Sequence, residues 1–253
     1  VTLCNALMDM YFKCGVLEKA REVFKQFSVP DVVSWNILIG GYAQHGLSEE
    51  AINCFRWMQD AGVCPNVVTY VGVIKACGIV GSIEIGKDID AEVRKQGLLQ
   101  KDAILTTTLV DMYFKCGAIG KAQEVFEQLP ARNVVSWNAL ISGYIESGDN
   151  ERALKCFEEM QLEGLLPDMV TLIFTMKVCG NVGAVSKGTE IHAAITRKGL
   201  LEGDFSIGCS LVDMYAKFGV MWKARQVFDE IPARNVITWN ALISGYVHHG
   251  LSN

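Results

Sequence analysis

The polar side chains that recur at fixed spacing in this chain are short amides. The segments DVVSWNILIGGYAQHG, NVVSWNALISGYIESG and NVITWNALISGYVHHG begin at residues 31, 133 and 235, and each carries an asparagine directly after a tryptophan. These asparagines are Asn36, Asn138 and Asn240, spaced 102 residues apart. A carboxamide offers two N–H donors and one carbonyl acceptor. A row of such groups could therefore make directional hydrogen bonds to a ligand.

No catalytic or metal-binding motif accompanies these amides. His45, His192, His248 and His249 are isolated, and no two cysteines form CxxC. Walker and dinucleotide-binding motifs are absent, and His192 lacks the H-x-E pattern of zinc deaminases. We therefore expect a binding module that has no enzymatic activity and no cofactor.

The asparagines belong to a longer internal repeat. VTLCNALMDMYFKCG, AILTTTLVDMYFKCG and FSIGCSLVDMYAKFG form a second matching set, and VVTYVGVIKACGIVG and MVTLIFTMKVCGNVG form a third. The chain divides into repeats of 31, 35 and 36 residues in rotation, which we number 1 to 8 and call short, standard and long. Repeats 1 to 8 span 1–31, 32–66, 67–102, 103–133, 134–168, 169–204, 205–235 and 236–253, the last being a truncated standard repeat.

The glycine and proline positions in the repeats are those expected for two helices joined by a short turn. Its fifteenth residue is always glycine, and the five prolines lie one to three residues before a repeat ends. Leu3, Leu7 and Met10 illustrate the helical spacing of apolar residues. A lone helical hairpin cannot bury its apolar face, so neighbouring hairpins must stack. The sequence predicts an all-α fold, an α-solenoid superhelix of helix-turn-helix repeats.

Three sets of residues are predicted to pack in this fold. The twentieth residue is small, which would let the two helices of a repeat approach closely. These residues are Ala20, Ala51, Gly86, Ala122, Ala153, Gly188 and Ala224. We assign Trp35, Trp137 and Trp239 to the core, the alternative being stacking on bases. The nine cysteines follow the repeat and are expected to be buried small hydrophobic residues in a reducing compartment.

Composition and charge limit the classes of function. The 253 residues are 50% hydrophobic and 20% charged, and no apolar run reaches the roughly 18 residues of a membrane span. The net charge of −5 alone argues against a nucleic-acid binder. However, the first fifteen residues of the repeats together carry five lysines and four acids, so the acidic excess lies elsewhere. The chain begins at Val1 without a basic-then-apolar leader, as expected of a mature piece.

The motifs WNALISGY, LVDMYFKCG and ARxVF resemble those of pentatricopeptide repeat proteins. The rotation of 31, 35 and 36 residues is similar to the plant subclass with short, standard and long motifs. The W-x2-L-G-x2-Y opening of the tetratricopeptide repeat is absent. The resemblance covers the whole chain and implies sequence-specific binding of single-stranded RNA, with one base per repeat.

The resemblance implies that the fifth and last residues of each repeat read one base. These residues are Asn5 with Asp31, Asn36 with Asn66, Thr107 with Asn133, Asn138 with Asp168, Cys209 with Asn235, and Asn240. For Asp31 and Asp168 the alternative is an ordinary helix cap. The long repeats carry Val71 and Ile173 at the fifth position and are expected to be spacers or weak readers. The family's code implies the target 5′-U-(C/U)-x-A-U-x-(A?)-(U/C), and Cys209 departs from that code.

Two further sets of residues follow from the resemblance. Apolar side chains at the second position would flank the bases, the alternative being packing at the helix start. This set is Thr2, Val33, Ile104, Val135 and Ile237. Lysines two residues before the glycine would contact phosphate, the alternative being a favourable interaction with the helix dipole. This second set is Lys13, Lys115 and Lys217.

The resemblance finally implies a role as a site-recognition module for organellar RNA editing (C-to-U) or processing. The expected location is the mitochondrion or chloroplast, the expected partners are RNA and editing co-factor proteins, and no membrane is involved. Any deaminase domain would lie outside this chain. The alternative is a protein-interaction scaffold of the tetratricopeptide type, which would present varied aromatic, Arg and Lys side chains on its inner face. A consensus-like array is a third interpretation.

Overall fold

A computed structural model of the chain describes residues 2–99, 102–129, 131–201, 205–232 and 234–250. These residues form fifteen α-helices and no strand. The chain divides into two compact parts, an amino-terminal lobe (Val1–Ala131) and a carboxy-terminal lobe (Arg132–Asn253). Pro130, one of the five predicted terminating prolines, lies outside the described residues.

The amino-terminal lobe is a stack of four helical hairpins. Its helices are α1 (Thr2–Lys13), α2 (Leu17–Lys25), α3 (Val32–Gln44), α4 (Ser48–Asp60), α5 (Val67–Val80), α6 (Ile83–Lys95), α7 (Ala103–Lys115) and α8 (Ile119–Glu127). The first helices of the hairpins contact one another in order, α1 with α3, α3 with α5, and α5 with α7. The second helices α2, α4 and α6 pack against their own first helix and against the next one. Stacking therefore buries the apolar face that a single hairpin leaves open.

The carboxy-terminal lobe repeats this arrangement. Its helices are α9 (Val134–Glu146), α10 (Asn150–Leu162), α11 (Met169–Val182), α12 (Val185–Arg197), α13 (Phe205–Lys217), α14 (Met221–Glu230) and α15 (Val236–His248). The first helices α9, α11, α13 and α15 again contact one another in order. The predicted all-α, α-solenoid fold class is confirmed. Each hairpin lies within one of the repeats defined above, while the repeat boundaries themselves stay a prediction.

The glycine at the fifteenth position ends the turn of every hairpin. In all eight repeats its φ lies between +66° and +81°. Gly81 and Gly183 are the left-handed caps of α5 and α11. A side chain is strained in this conformation, so glycine is the residue that lets the first helix stop and the second begin.

The glycine at the twentieth position of the long repeats is required by the following repeat. A Cβ added at Gly86 would come within 2.7 Å of Met112, which lies on the first helix of the following repeat. At Gly188 it would come within 2.8 Å of Met214, again on the following first helix. The prediction that this position lets the two helices of one repeat approach closely is therefore wrong for Gly86 and Gly188, where the close neighbour is the next hairpin.

The tryptophans behave as predicted in two of three cases. Trp35 and Trp137 are buried in their lobes. Trp239 exposes 46% of its surface, although its ring contacts Phe228 edge-on with centroids 4.6 Å apart. The assignment of Trp239 to the core is therefore wrong.

Five of the nine cysteines are buried and two are exposed. Cys54, Cys77, Cys156, Cys179 and Cys209 are buried. In contrast, Cys14 follows α1 and Cys64 follows α4 in irregular segments, where both thiols are exposed. The prediction of burial is wrong for these two, because a residue at a hairpin turn or repeat end faces solvent.

Candidate functional site

The predicted last residue of a repeat caps the first helix of the next repeat. The Oδ1 atom of Asp31, Asn66, Asn133, Asp168 and Asn235 accepts the backbone N–H three residues later, over 2.8 to 3.1 Å. The backbone of each capping residue is extended. The cap interpretation is therefore confirmed, and it holds for the asparagines as well as for the aspartates.

The same caps bind the asparagine at the fifth position of their own repeat. Asn138 Nδ2 donates to Asp168 Oδ1 over 3.0 Å, and Asn36 Nδ2 donates to Asn66 Oδ1 over 3.1 Å. In each case about 30 residues separate the partners, which stacking of consecutive first helices brings together. Two of the residue pairs singled out in the sequence thus lie in direct contact.

A hydroxyl from the following repeat completes each of these contacts. Thr171 Oγ1 lies 2.7 Å from Asn138 Oδ1 and 2.8 Å from Asp168 Oδ1. Thr69 Oγ1 lies 2.6 Å from Asn36 Oδ1 and 3.1 Å from Asn66 Oδ1. We call each set of three residues a polar triad.

A third polar triad lies in the first repeat. Ser34 Oγ donates to Asn5 Oδ1 over 2.9 Å and lies 2.8 Å from Asp31 Oδ1. The sequence analysis missed all three hydroxyl residues. The available signal was that the third residue is Ser or Thr in every standard and long repeat, whereas the short repeats carry Leu3, Leu105 and Ile207 there.

Burial and hydrogen bonding shift the pKa values of the two aspartates in the triads. For Asp31, hydrogen bonds from the backbone N–H and then the hydroxyl of Ser34 hold the pKa below its ordinary value. For Asp168, burial raises the pKa, but hydrogen bonds from the backbone and hydroxyl of Thr171 and from Asn138 outweigh it and leave the pKa lowered. Both side chains are therefore ionised at neutral pH.

Each triad leaves defined polar groups for a ligand. The hydrogen bonds from Ser34, Asn36 and Thr171 to these caps end on Oδ1 of Asp31, Asn66 and Asp168. The asparagine at the fifth position also keeps its second N–H. A triad that contains aspartate therefore offers a carboxylate oxygen beside an N–H, whereas the triad of Asn66 offers N–H donors on two amide nitrogens.

The remaining predicted readers differ from this arrangement. Thr107 belongs to the amino-terminal lobe, where its hydroxyl donates to the carbonyl oxygen of Ile104 over 3.0 Å. Asn133 belongs to the other lobe and caps α9. Cys209 is buried in α13, and the hydroxyl of Thr238 donates to the backbone carbonyl of Asn235 over 2.8 Å. Asn240 is exposed on α15.

The aliphatic fifth residues of the long repeats have no polar triad. Val71 and Ile173 are half-buried on α5 and α11. The third residue of the following repeat is Leu105 or Ile207, and both are buried. The amide and the hydroxyl are thus replaced together by apolar side chains, as expected of a repeat that does not read a base edge.

The predicted base-flanking residues lie on the surface. Val33, Ile104, Val135 and Ile237 expose 50% to 65% of their surface, and Thr2 is exposed as well. The alternative of packing at the helix start is therefore wrong, and the flanking role stays a prediction. The corresponding residues of the long repeats, Val68 and Val170, are also exposed and were missed.

The three predicted phosphate lysines form ion pairs within their own helices. The distances are 2.6 Å from Lys13 to Asp9, 2.7 Å from Lys115 to Asp111 and 2.9 Å from Lys217 to Asp213. All six side chains are substantially exposed, so these pairs are weak. The phosphate role stays a prediction, and it requires each lysine to exchange its aspartate for phosphate.

The described parts of the chain lack a cluster of metal-ligating residues and a membrane-spanning helix. They contain no group of three or more His, Cys, Asp or Glu that could hold a metal ion. None of their helices has the length and apolarity needed to cross a bilayer.

Comparison with family models identifies the repeat. The PPR repeat family model matches residues 30–78 and 132–181, and the PPR repeat model matches residues 2–28, 105–134, 209–236 and 237–253. A chloroplastic pentatricopeptide repeat-containing protein of Arabidopsis thaliana is 38% identical over 97% of this chain, and a mitochondrial one is 36% identical over 98%. The chain spans 40% and 36% of their respective lengths.

Solved structures agree with the fold. Pentatricopeptide repeat protein PPR10 from maize matches 98% of this chain and 38% of its own, with a TM-score of 0.71 and 23% identity. PPR10 in complex with an 18-nt psaJ RNA element matches 97% of this chain and 37% of its own, with a TM-score of 0.74 and 22% identity. At this level of identity the likeness concerns the fold alone.

Proposed function

Because this chain belongs to the pentatricopeptide repeat family, we propose that it binds single-stranded RNA sequence-specifically, one base per repeat. The observation that carries this proposal is the set of three polar triads, each of which presents short amides or a carboxylate between two neighbouring first helices. The RNA complex of PPR10 supports the choice of ligand.

The two triads with aspartate have the chemistry to select uracil. Uracil presents an N3–H donor beside carbonyl acceptors. The free carboxylate oxygen of Asp168 can accept the N3–H, and the free N–H of Asn138 can donate to a carbonyl. Asp31 and Asn5 offer the same groups for the first base.

The triad of Asn66 has the chemistry to select cytosine. Cytosine has an acceptor at N3, where uracil has a donor. Since Asn66 Oδ1 is occupied by the cap and by Asn36, its Nδ2 is the group left to donate to N3. The exchange of one terminal atom, oxygen in Asp168 and nitrogen in Asn66, would therefore change the preferred pyrimidine.

The other repeats complete the proposed target. The hydroxyl hydrogen of Thr107 is donated to its own helix, so its oxygen remains an acceptor suited to the amino group of adenine. Together with the remaining pairs this gives 5′-U-(C/U)-x-A-U-x-(A?)-(U/C), read with the amino-terminal end at the 5′ side. The long repeats correspond to the positions marked x.

The biological role we propose is recognition of organellar transcripts. The repeat lengths support the subclass with short, standard and long motifs, and one relative is chloroplastic while another is mitochondrial. In this role the array selects a site for C-to-U editing or processing, and editing co-factor proteins join it. Sequencing the RNA that co-purifies with the full-length protein from organelles would test this role.

Binding measurements on defined RNAs test the base assignments. The affinity of the chain is measured for the proposed target and for a panel with single-base changes at every position. We expect Asn138→Val to remove the preference at the fifth base and to leave the second base unaffected. A bidentate contact of this kind contributes roughly 1–3 kcal/mol to discrimination.

Repeat 6 supplies the matched control. Ile173 occupies the position equivalent to Asn138 but is aliphatic, so Ile173→Val should leave every base preference unchanged. Equal affinity of the wild type for all members of the panel would disprove sequence-specific reading. Absence of RNA binding would favour the protein-interaction scaffold.

A further inference from the structure

The third residue of a repeat donates its hydroxyl backwards, to the base-reading asparagine of the repeat before it. Ser34, Thr69 and Thr171 do so in the three polar triads, and all three are fully buried. Their backbone N–H groups are capped as well, which is the ordinary role of this position. The bond to the asparagine is an additional contact that capping does not require.

The hydroxyl turns elsewhere when no asparagine occupies the fifth position. In repeat 7 the fifth residue is Cys209, and there Thr238 donates to the backbone carbonyl of Asn235. Thr238 nevertheless retains both bonds of the capping box. The direction of the hydroxyl thus differs between Thr69 and Thr238, although the caps Asn66 and Asn235 both form a capping box.

The hydroxyl and the cap together determine which end of the amide is free. In repeat 2, Thr69 Oγ1 accepts the backbone N–H of Asn66 and donates to Asn36 Oδ1. Rotating the carboxamide by half a turn would place Asn36 Oδ1 against Asn66 Oδ1, two acceptors in contact. The observed orientation directs the carbonyl towards the hydroxyl and keeps an N–H for the ligand.

The distances from the hydroxyl to the asparagine and to the cap differ between an asparagine cap and an aspartate cap. With the neutral Asn66, the hydroxyl lies 0.5 Å nearer the fifth residue, at 2.6 Å against 3.1 Å. With the ionised Asp168 the two distances are nearly equal, at 2.7 Å and 2.8 Å. A carboxylate competes more strongly for a hydroxyl proton than an amide oxygen does.

Building on the proposed RNA binding, we infer that Ser34, Thr69 and Thr171 are positioning residues that set base discrimination by the preceding repeat. Each hydroxyl holds the asparagine with its N–H towards the base. Without the hydroxyl, both ends of the carboxamide become available, and the repeat distinguishes uracil from cytosine less well. The overall affinity for RNA depends much less on this group.

The test compares base discrimination among three hydroxyl variants of the full chain. The ratio of affinities for U and C at the fifth base is measured for Thr171→Val, which removes the hydroxyl but keeps the shape. We expect this ratio to fall by roughly threefold to tenfold, the value of one hydrogen bond. Thr171→Ser should keep the wild-type ratio because it restores the hydroxyl.

Thr238→Val is the matched control for lost capping. It removes the capping-box bond that Thr69 also makes, but its hydroxyl donates to the backbone carbonyl of Asn235 and not to an asparagine at the fifth position. It should leave the ratio at the fifth base unchanged. Circular dichroism verifies that each variant is folded, and Thr69→Val provides an independent case through the second base in the other lobe.

The outcomes separate this inference from the proposed function. If the wild type prefers U at the fifth base and Thr171→Val keeps that preference, the hydroxyl is only a cap and the inference is wrong. A ratio that falls equally in Thr171→Val and Thr238→Val also overturns it. If the wild type shows no preference at all, the proposed function itself fails.

Discussion

The hydroxyl of Thr171 lies 2.7 Å from the amide oxygen of Asn138, although 33 residues separate the two in sequence. The same relationship joins Thr69 to Asn36, at the same sequence separation. The base reading that we propose is therefore organised around an asparagine, the cap 30 residues later, and the hydroxyl that follows the cap.

Exchanging the caps should exchange the preferred pyrimidine. In Asp168→Asn the free carboxylate oxygen becomes an N–H donor, so we expect the fifth base to change from U to C. The reverse change, Asn66→Asp, should favour U at the second base. Stability should change by less than about 0.5 kcal/mol, since Asn and Asp cap helices equally well. The RNA panel and urea unfolding measure these effects, and a preference for U in Asp168→Asn would contradict the prediction.

Repeat 7 should become a cytosine reader through one substitution. Cys209→Asn supplies the amide oxygen that Thr238 lacks, beside the cap Asn235. The result has the same residue types as the triad of repeat 2, so we expect a preference for C at the seventh base of about tenfold. Cys209→Val is the control and should gain no preference. A variant that folds but shows no preference for C at the seventh base would contradict this prediction.

We expect phosphate to compete with the paired aspartate for each of the lysines Lys13, Lys115 and Lys217. Lys217→Gln should lower the dependence of log affinity on log salt by about 0.7 if the lysine contacts one phosphate of a single strand. Asp213→Asn should strengthen binding because it removes the carboxylate that pairs with Lys217, which keeps its hydrogen bond to Asn181. Both effects are read from affinities at several salt concentrations. An unchanged slope in Lys217→Gln would show that the lysine serves only its own helix.

Acid should weaken the fold through the triad aspartates. A carboxyl whose pKa is lowered on folding contributes stability that is complete above its unfolded pKa and lost as the pH falls through its folded pKa. For Asp168 the ordinary value is 3.8 and the folded value lies below it. The stability difference between wild type and Asp168→Asn should therefore be constant from pH 7 to about pH 5 and change only below about pH 4. Urea unfolding across this range tests it, and a change near pH 6 would contradict it.

Thiol reactivity should follow the division of the cysteines. Burial raises the pKa of Cys54, Cys77 and Cys156 to about 12, so about one thiol in 10⁴ is ionised at pH 8. We expect brief alkylation of the folded chain to modify Cys14 and Cys64 first. Peptide mass spectrometry identifies the modified residues, and an unfolded sample provides the control in which all nine react. Early modification of Cys54 would contradict the burial of that residue.

Much of the fold could be predicted because its signals are local. Gly81 marks a helix end through its own backbone conformation, and Asp31 caps the helix that begins at the next residue. The pairing of Asn138 with Asp168 required the resemblance to a known family, since 30 residues separate the two. The contact of Thr171 with Asn138 could not be predicted, because a threonine three residues after a cap is already explained by the capping of the helix.

Other features could not be predicted because they depend on the neighbouring hairpin. Gly86 is small on account of Met112, a residue of the next repeat that a helical pattern does not reveal. The ion pair between Lys115 and Asp111 was visible as a spacing of four residues, but its effect on the lysine became clear only with the distance of 2.7 Å. Trp239 occupies the same motif position as Trp35 and Trp137, but it is exposed whereas they are buried.

The donation of each hydroxyl to the preceding repeat determines how such arrays can be recombined. A hairpin cut out at its own boundaries carries its asparagine and its cap but leaves behind the serine or threonine that orients the amide. The portable module for a pyrimidine is therefore a hairpin together with the first turn of its successor. After duplication or exchange, a hairpin would keep its base preference only if the repeat that follows it also has a serine or threonine as its third residue.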